Sequence, residues 1–518
     1  MTASSGPAPR RWLALFAIAL GLLAVGLDVT VLSLALPTLA GEMLASQSDL
    51  QWFVTAYTLA LTAAMLPAGL IGDRIGRRRL ILLSLAVFGV ASGACALSTS
   101  PGMFILSRVV LGLAGAGMIV MALSLITAMF DERERPRAIG VWSAANFLAM
   151  PLGPIVGGWM LANLWWGWVF LLNVPVVLVG LLAVAILVPE SRSSERRPVD
   201  WLGVVASSAG LTLFVYGVIE AGRVGWGDPV TIGALLASIL TLTGFVAWER
   251  RLATRGRAPL IDMSLFRSPP FTGGLVVAGV GIFGLTGLLF ALPQLWQGVQ
   301  GADAQAAGFG LLPLIAGMVV GAVPSDRVAA RVGPRIAAAA GVLVMATALA
   351  AGSTIRIDSP DAFTVVWTFV VGFAAGVGLT TAASAALVEL DAEHSGVGSA
   401  LVQAIVKLGP AFGAAVLGSV MNAAYRDAVP VAGLPADAAA LAQSSVFAGL
   451  AVAAQAGSAA LADAVRLAFV VALGDSLRVA ALIALAGVPV ALLLLPGRSV
   501  AGTAAEAQSI HAPSPTGH

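Results

Sequence analysis

Asp28 and Arg108 each interrupt a long run of Leu, Ala, Val and Gly, and Lys407, the only lysine in the chain, interrupts a third. Charged side chains are costly in an apolar medium, so one kept there is by default a carrier of function. Loss of water favours the neutral form of a carboxylate, whereas a nearby guanidinium favours the ionised form. An Asp–Arg pair whose access to water changes can therefore load and release a proton; the bland alternative is a permanent salt bridge that only fixes helix packing. Asp28 falls about eight residues before the end of its run and Arg108 about six residues into its own. Read from the same side of a bilayer, these positions are roughly 12 Å and 9 Å deep at 1.5 Å per residue. The depths match, as those of two members of one polar pocket would. Lys407 either replaces a polar contact of that pocket or reaches back along its stem to the water interface.

These residues need apolar elements to position them, and the composition supplies them. The chain has 518 residues, 59% hydrophobic and 10% charged, against roughly 25% charged in an average soluble domain. With a mean hydropathy of +0.96, an ordinary soluble enzyme is excluded and lipid is the expected solvent. A net charge of +2 offers no basic surface for nucleic acid. One cysteine excludes an internal disulfide, and three scattered histidines make no metal site. No catalytic residues, metal or cofactor are expected.

A bilayer core needs about 20 apolar residues of helix. Such runs occur at 12–36, 50–71, 80–98, 102–125, 138–162, 167–188, 201–222, 230–249, 272–296, 306–325, 335–353, 362–388, 399–421 and 467–495. The chain thus reads as an all-α integral membrane protein of fourteen spans. Of its 28 Lys and Arg residues, 21 fall on the side of the N-terminus, five on the other (Arg223, Arg356, Arg426, Arg466 and Arg478), and Arg108 and Lys407 within spans. This asymmetry puts both termini in the cytoplasm. All twelve tryptophans fall near span ends, where the indole ring prefers to sit.

The chain also resembles itself at an offset of 256. Ala35-Leu36-Pro37 returns as Ala291-Leu292-Pro293, and Gly153-Pro154 with Gly157 returns as Gly409-Pro410 with Gly413. At 257, Arg74-Ile75-Gly76-Arg77-Arg78 matches Arg331-Val332-Gly333-Pro334-Arg335. Spans 1 to 6 then correspond to spans 9 to 14, with two spans inserted, an organisation found in many secondary transporters. The expected division is a cytoplasmic tail (1–11), an N-terminal six-helix bundle (12–200), two inserted linker helices (201–270), a C-terminal six-helix bundle (271–498) and a disordered tail (499–518). The stretch 422–466 reads as a long external loop, with helix left open.

Between the second and third spans lies Gly69-Leu70-Ile71-Gly72-Asp73-Arg74-Ile75-Gly76-Arg77-Arg78-Arg79. Charge alone makes this a positive anchor as readily as a device. The glycines add close backbone approach at Gly69 and Gly72 and a tight turn at Gly76. Asp73 can bond an Arg or a helix N-terminus, a link that one conformation makes and another breaks.

This string resembles the loop signature of the major facilitator superfamily, and further motifs resemble its 14-helix drug:proton antiporter family. They are Leu27-Asp28-Val29-Thr30 through Ala35-Leu36-Pro37, Arg108 with Gly112, Gly153-Pro154 with Gly157-Gly158, Trp166 to Pro175, and Asp200-Trp201-Leu202-Gly203. The resemblance implies a major facilitator fold of two six-helix bundles plus two inserted helices. It makes Asp28 and Arg108 the proton-coupling pair, and Gly69, Asp73, Arg74, Gly76, Arg77, Gly153, Pro154, Gly157 and Gly158 a conformational switch. Gln294, Trp296 and Lys407 become candidates for the substrate cavity; Trp296 is equally placed as an interfacial belt residue, and Gln294 and Gln297 as headgroup contacts. In the second loop copy Ala330 stands where Asp73 does, so its lock is expected to be weak or absent.

The single lysine is followed by Leu408 in an apolar span, so no phosphate-binding Gly-Lys-Ser/Thr loop exists and ATP is not the drive. The reading is a proton antiporter of the bacterial plasma membrane, monomeric and surrounded by lipid, exporting lipophilic drugs or antibiotics. The alternatives are proton-coupled uptake or facilitated transport of a small metabolite and, more remotely, a membrane-embedded enzyme or receptor.

Overall fold

The computed structural model describes residues 8–130, 134–188, 190, 200–256, 259–261, 263–388 and 395–497. Of the expected N-terminal tail (1–11), residues 1–7 lie outside them and 8–11 belong to the first helix, and the expected tail at 499–518 lies wholly outside them. Among the described residues the architecture is all-α. The helices are α1 (Ala8–Glu42), α2 (Gln47–Ile75), α3 (Arg77–Ala96), α4 (Pro101–Met129), α5 (Arg135–Asn163), α6 (Trp168–Leu171), α7 (Asn173–Leu187), α8 (Trp201–Val224) and α9 (Pro229–Thr254). There follow α10 (Pro269–Gln294), continued by a π-helical turn (Leu295–Val299), then α11 (Ala304–Ala322), α12 (Ser325–Val332), α13 (Pro334–Gly352), α14 (Asp361–Val388) and α15 (Ser395–Ala428). The last are α16 (Ala436–Ala442), α17 (Val446–Gln455) and α18 (Ala459–Leu494).

Among the described residues, eleven helices are long and apolar enough to cross a membrane. The spans expected at 50–71, 138–162 and 399–421 lie on α2, α5 and α15, which are long helices outside those eleven. Part of the segment 422–466 belongs to neighbouring helices: α15 runs on to Ala428 and α18 starts at Ala459, with α16 and α17 between them. Arg466 and Arg478, counted above with the external pieces, therefore sit inside α18.

Local chemistry marks the helix ends. Ser46 and Asp49 form a reciprocal capping box at the start of α2, satisfying donors that the first turn leaves open. Ser100 accepts from the Met103 amide at α4, and Asp228 from Val230 at α9. Gly76 links α2 to α3 at φ 116°, and Gly333 links α12 to α13 at φ 87°. Both values lie where a Cβ is strained, so the repeated Arg-x-Gly string makes the same turn twice.

The chain packs as two compact units. The first comprises Met1–Leu260, Thr286–Leu312 and Pro410–Ser476. In it α2 packs along α4, α3 against α4 and α7, α1 against α5 and α7, and α8 against α9 and α2. Its core runs from Leu15 and Leu22 through Tyr57, Leu85, Phe88 and Leu111 to Ile126. The second comprises Ile261–Leu285, Pro313–Gly409 and Leu477–His518. Here α13 packs on α14, and Gly274 of α10 lies against the Ala386 side chain of α14.

Candidate functional site

The N-terminal turns of α4 carry Arg108 into the interior of the first unit, where it is 1% exposed. Its guanidinium Nη1 donates to Asp28 Oδ2 of α1, itself 3% exposed. Nε donates to the Phe53 carbonyl of α2 at 3.0 Å, and the guanidinium carbon stands 4.4 Å from the centre of the Tyr57 ring. The approach of α2 to α4 that permits this depends on glycine. A Cβ at Gly112 would run into the Tyr57 carbonyl, and one at Gly115 would stand 3.2 Å from the Tyr57 hydroxyl. Gly112→Ala is therefore expected to push α2 from α4 and destabilise the protein by about 1–3 kcal/mol. A thermal-shift measurement checks this; an unchanged midpoint would show that the helix pair yields freely.

Two polar atoms in this site have no hydrogen-bond partner among the described residues: Asp28 Oδ1 and the Tyr57 hydroxyl. The first matters chemically. One carboxylate oxygen is engaged by the guanidinium while the other is open to a proton, in surroundings that otherwise exclude charge. The arrangement can thus bind a proton without first dismantling the Arg108 contacts to Phe53 and Tyr57.

α5 is held to α1 by the same economy of side-chain volume. A Cβ at Gly153 would collide with Thr30, and one at Gly157 would stand 2.7 Å from Val31. The Thr30 hydroxyl lies within donating distance of the Leu27 and Ala149 carbonyls, at 3.2 and 3.4 Å. Along another side of α5, Gly158 meets the Ala304 carbonyl of α11, 2.8 Å from where its Cβ would be. The Pro154 carbonyl meets Gly308 of α11, again at a distance no side chain would allow. The motif therefore packs α5 on α1 and α11 together. Its repeat copy, Gly409, packs against Ile282 of α10 in the second unit.

The loop residues are arranged differently from the expectation. A Cβ at Gly69 would meet Val120 at an ordinary 3.5 Å, and at Gly72 the neighbour is the flexible Met121 side chain. Neither glycine brings backbone to backbone. The side chain of Asp73 lies outside the described residues, and Arg74 is exposed. Arg77 Nη1 donates to the Ser124 carbonyl of α4 at 3.4 Å. Glu190 supplies the acid seen here. It accepts from the Arg78 amide at 3.2 Å, lies 3.6 Å from Arg79 Nε, and abuts Gly76, whose Cβ would fall 2.5 Å from Oε1.

Gln294 is fully buried; its Nε2 donates to the Phe290 carbonyl of its own helix at 3.0 Å, and its Oε1 has no partner among the described residues. Trp296 is buried against Gly310 of α11 and so is not a belt residue. Gln297, half-buried, donates to the Leu34 carbonyl of α1 at 3.0 Å. Lys407 lies partly accessible on α15, in the second unit, with no ion-pair partner among the described residues. The expected site residues did not include Phe53, Tyr57 or Glu190. Tyr57 carried one signal, as one of three tyrosines in the chain, eight residues into an apolar run. A carbonyl such as that of Phe53 carries none.

Comparison with known proteins agrees with this architecture. The family described as Major Facilitator Superfamily matches residues 18–414. The chain is 35% identical over 431 residues to the tetracenomycin C resistance and export protein of Streptomyces glaucescens, covering 83% of this chain and 79% of that one. It is 33% identical to the multidrug efflux pump LfrA of Mycolicibacterium smegmatis, covering 89% and 91%. A bacterial homologue of the human lysosomal transporter Spinster, solved inward-facing and unoccupied, shares the fold with a TM-score of 0.68 at 18% identity, covering 94% of this chain and 98% of that one. The chain belongs to the Major Facilitator Superfamily and is a multi-pass membrane transporter, not an enzyme.

Proposed function

We propose that this transporter exports lipophilic drugs or antibiotics from a bacterial cytoplasm in exchange for protons, as a monomeric fourteen-span member of the drug:proton antiporter family with both termini cytoplasmic. The observation that carries the reading is the buried Asp28–Arg108 pair with one carboxylate oxygen unpartnered. Relatives support the direction and the cargo. Besides the two above, one is a puromycin resistance protein of Streptomyces alboniger and another a methyl viologen resistance protein of Salmonella typhimurium. In the mechanism, external protons reach Asp28 when the pocket opens outward and leave when it opens inward, and the substrate moves the other way. The α5–α11 contacts at Pro154–Gly308 and Gly158–Ala304 serve as a seam on the side away from the N-terminus, closed in this conformation. The inserted helices α8 and α9 join the two six-helix bundles.

The test is efflux of puromycin and of methyl viologen from loaded cells, with and without a protonophore. Efflux that collapses with the protonophore supports antiport. Efflux of either compound that persists undiminished rejects proton coupling, and absence of efflux for a broad panel of lipophilic compounds would favour uptake of a small metabolite.

A further inference from the structure

Arg108 is held by more than its carboxylate. Asp28 takes Nη1, the Phe53 carbonyl takes Nε, and the Tyr57 ring lies beneath the guanidinium at 4.4 Å. Only the first of these contacts changes charge when a proton arrives. Once Asp28 is neutral, a full positive charge remains in a site that is 1% exposed, and an uncompensated buried cation is strongly unfavourable. Something must hold it there.

We infer that Tyr57 is a positioning residue for proton exchange at Asp28, its ring face holding Arg108 in register and bearing part of its charge while Asp28 is protonated. The inference rests on the reading of Asp28 as the coupling acid. The negative face of an aromatic ring attracts a cation, and more strongly where water is excluded. With Asp28 ionised, the carboxylate offsets the field of the guanidinium at the ring. With Asp28 protonated, the ring meets the whole charge, so it stabilises the protonated state more than the ionised one. The hydroxyl has no partner among the described residues, which leaves the ring as the working part of the side chain. The fit of the ring is built into α4, because Gly112 and Gly115 are the positions that admit the Tyr57 backbone and hydroxyl.

Few other groups compete for this role. The titratable neighbours are Asp28 on α1, Cys95 on α3 and Arg108 on α4. On α8, which packs on α2, Glu220 and Arg223 pair with each other. α5 offers the site a carbonyl through Thr30, and its charged residues, Arg135 and Arg137, belong to its first turn. α6 and α7 contain no ionisable residue.

The experiment compares the pH dependence of puromycin efflux in proteoliposomes for wild type, Tyr57→Phe, Tyr57→Leu and a series of phenylalanines of increasing fluorine content at position 57. Fluorination keeps the shape of the ring while draining the negative potential of its face. Tyr57→Phe is expected to keep the wild-type midpoint. The fluorinated series is expected to move it progressively to lower pH, by up to about one pH unit, with Tyr57→Leu at least as far. A flat fluorinated series overturns the inference, as does a shift in Tyr57→Phe equal to that in Tyr57→Leu, which would assign the effect to the hydroxyl. Should Tyr57→Leu fail to fold, the fluorinated series decides alone. Asp28→Asn in the same assay separates the two ideas. If it loses proton dependence while the series stays flat, only the role of Tyr57 falls; if it behaves as wild type, the coupling reading itself falls.

Discussion

Asp28→Asn is expected to reduce energy-dependent efflux to background while leaving equilibrium exchange of substrate across the membrane. Asparagine imitates the protonated acid in shape and charge but can never release a proton, so the carrier can still reorient with cargo and no longer draw on a gradient. The same change leaves Arg108 charged in a site without water. Removing one partner of a buried pair costs about 3–5 kcal/mol, because the other charge stays behind uncompensated. The double variant Asp28→Asn with Arg108→Met removes that charge as well. It is expected to regain most of the lost stability and none of the transport. Thermal unfolding and efflux measured on wild type and the two variants separate the two roles of the pair. If Asp28→Asn is uncoupled but as stable as wild type, the pair does not hold the helices. If it is unstable but fully coupled when assayed cold, the pair is only a packing device.

The second large effect is expected at Gly308. Its backbone meets the Pro154 carbonyl of α5 with no room for a side chain. Gly308→Leu would force α11 away from α5, and overpacking of this kind costs roughly 3 kcal/mol where backbone must move. That cost falls on the conformation described here and not on one in which the two helices have parted. The population of the closed seam should drop about 100-fold, at 1.4 kcal/mol per factor of ten. A cycle that must pass through the closed seam then slows by a similar factor. The measurement is the turnover of puromycin efflux, set beside the thermal midpoint of the purified protein. Slow turnover in a folded protein fits the account; normal turnover would show that the seam is not an obligatory state.

How much of this was legible beforehand depends on the kind of residue. Apolar runs show where helices lie, because lipid leaves the backbone no other partner than its own helix; the expected runs fall on observed helices, with that at 167–188 divided between α6 and α7 and that at 306–325 running past the end of α11. The ends were less legible. α1 and α15 extend beyond their expected runs because polar residues such as Glu42 and Arg426 prolong a helix outside an apolar medium as readily as they end it. The Asp28–Arg108 pair was readable because a charge inside an apolar run stands out and two depths can be compared. Tyr57 and Phe53 were not, since an aromatic residue in such a run looks like packing until the facing helix is known. Glu190 was hidden for another reason. Its role at Gly76 and Arg79 depends on the return of the chain after α7, which no local spacing records. Gly112 and Gly308 show the same limit from the other side, as a glycine declares a close approach without naming the carbonyl it approaches.

The most direct test of the central claim is proton movement itself. Purified transporter is reconstituted in liposomes containing a pH-sensitive dye, with no pH gradient imposed, and puromycin is supplied on one side. Wild type is expected to drive protons against the direction of puromycin, changing the internal pH, and Asp28→Asn is expected to move puromycin without any such change. Puromycin flux through the wild type with the internal pH constant would contradict proton antiport through Asp28.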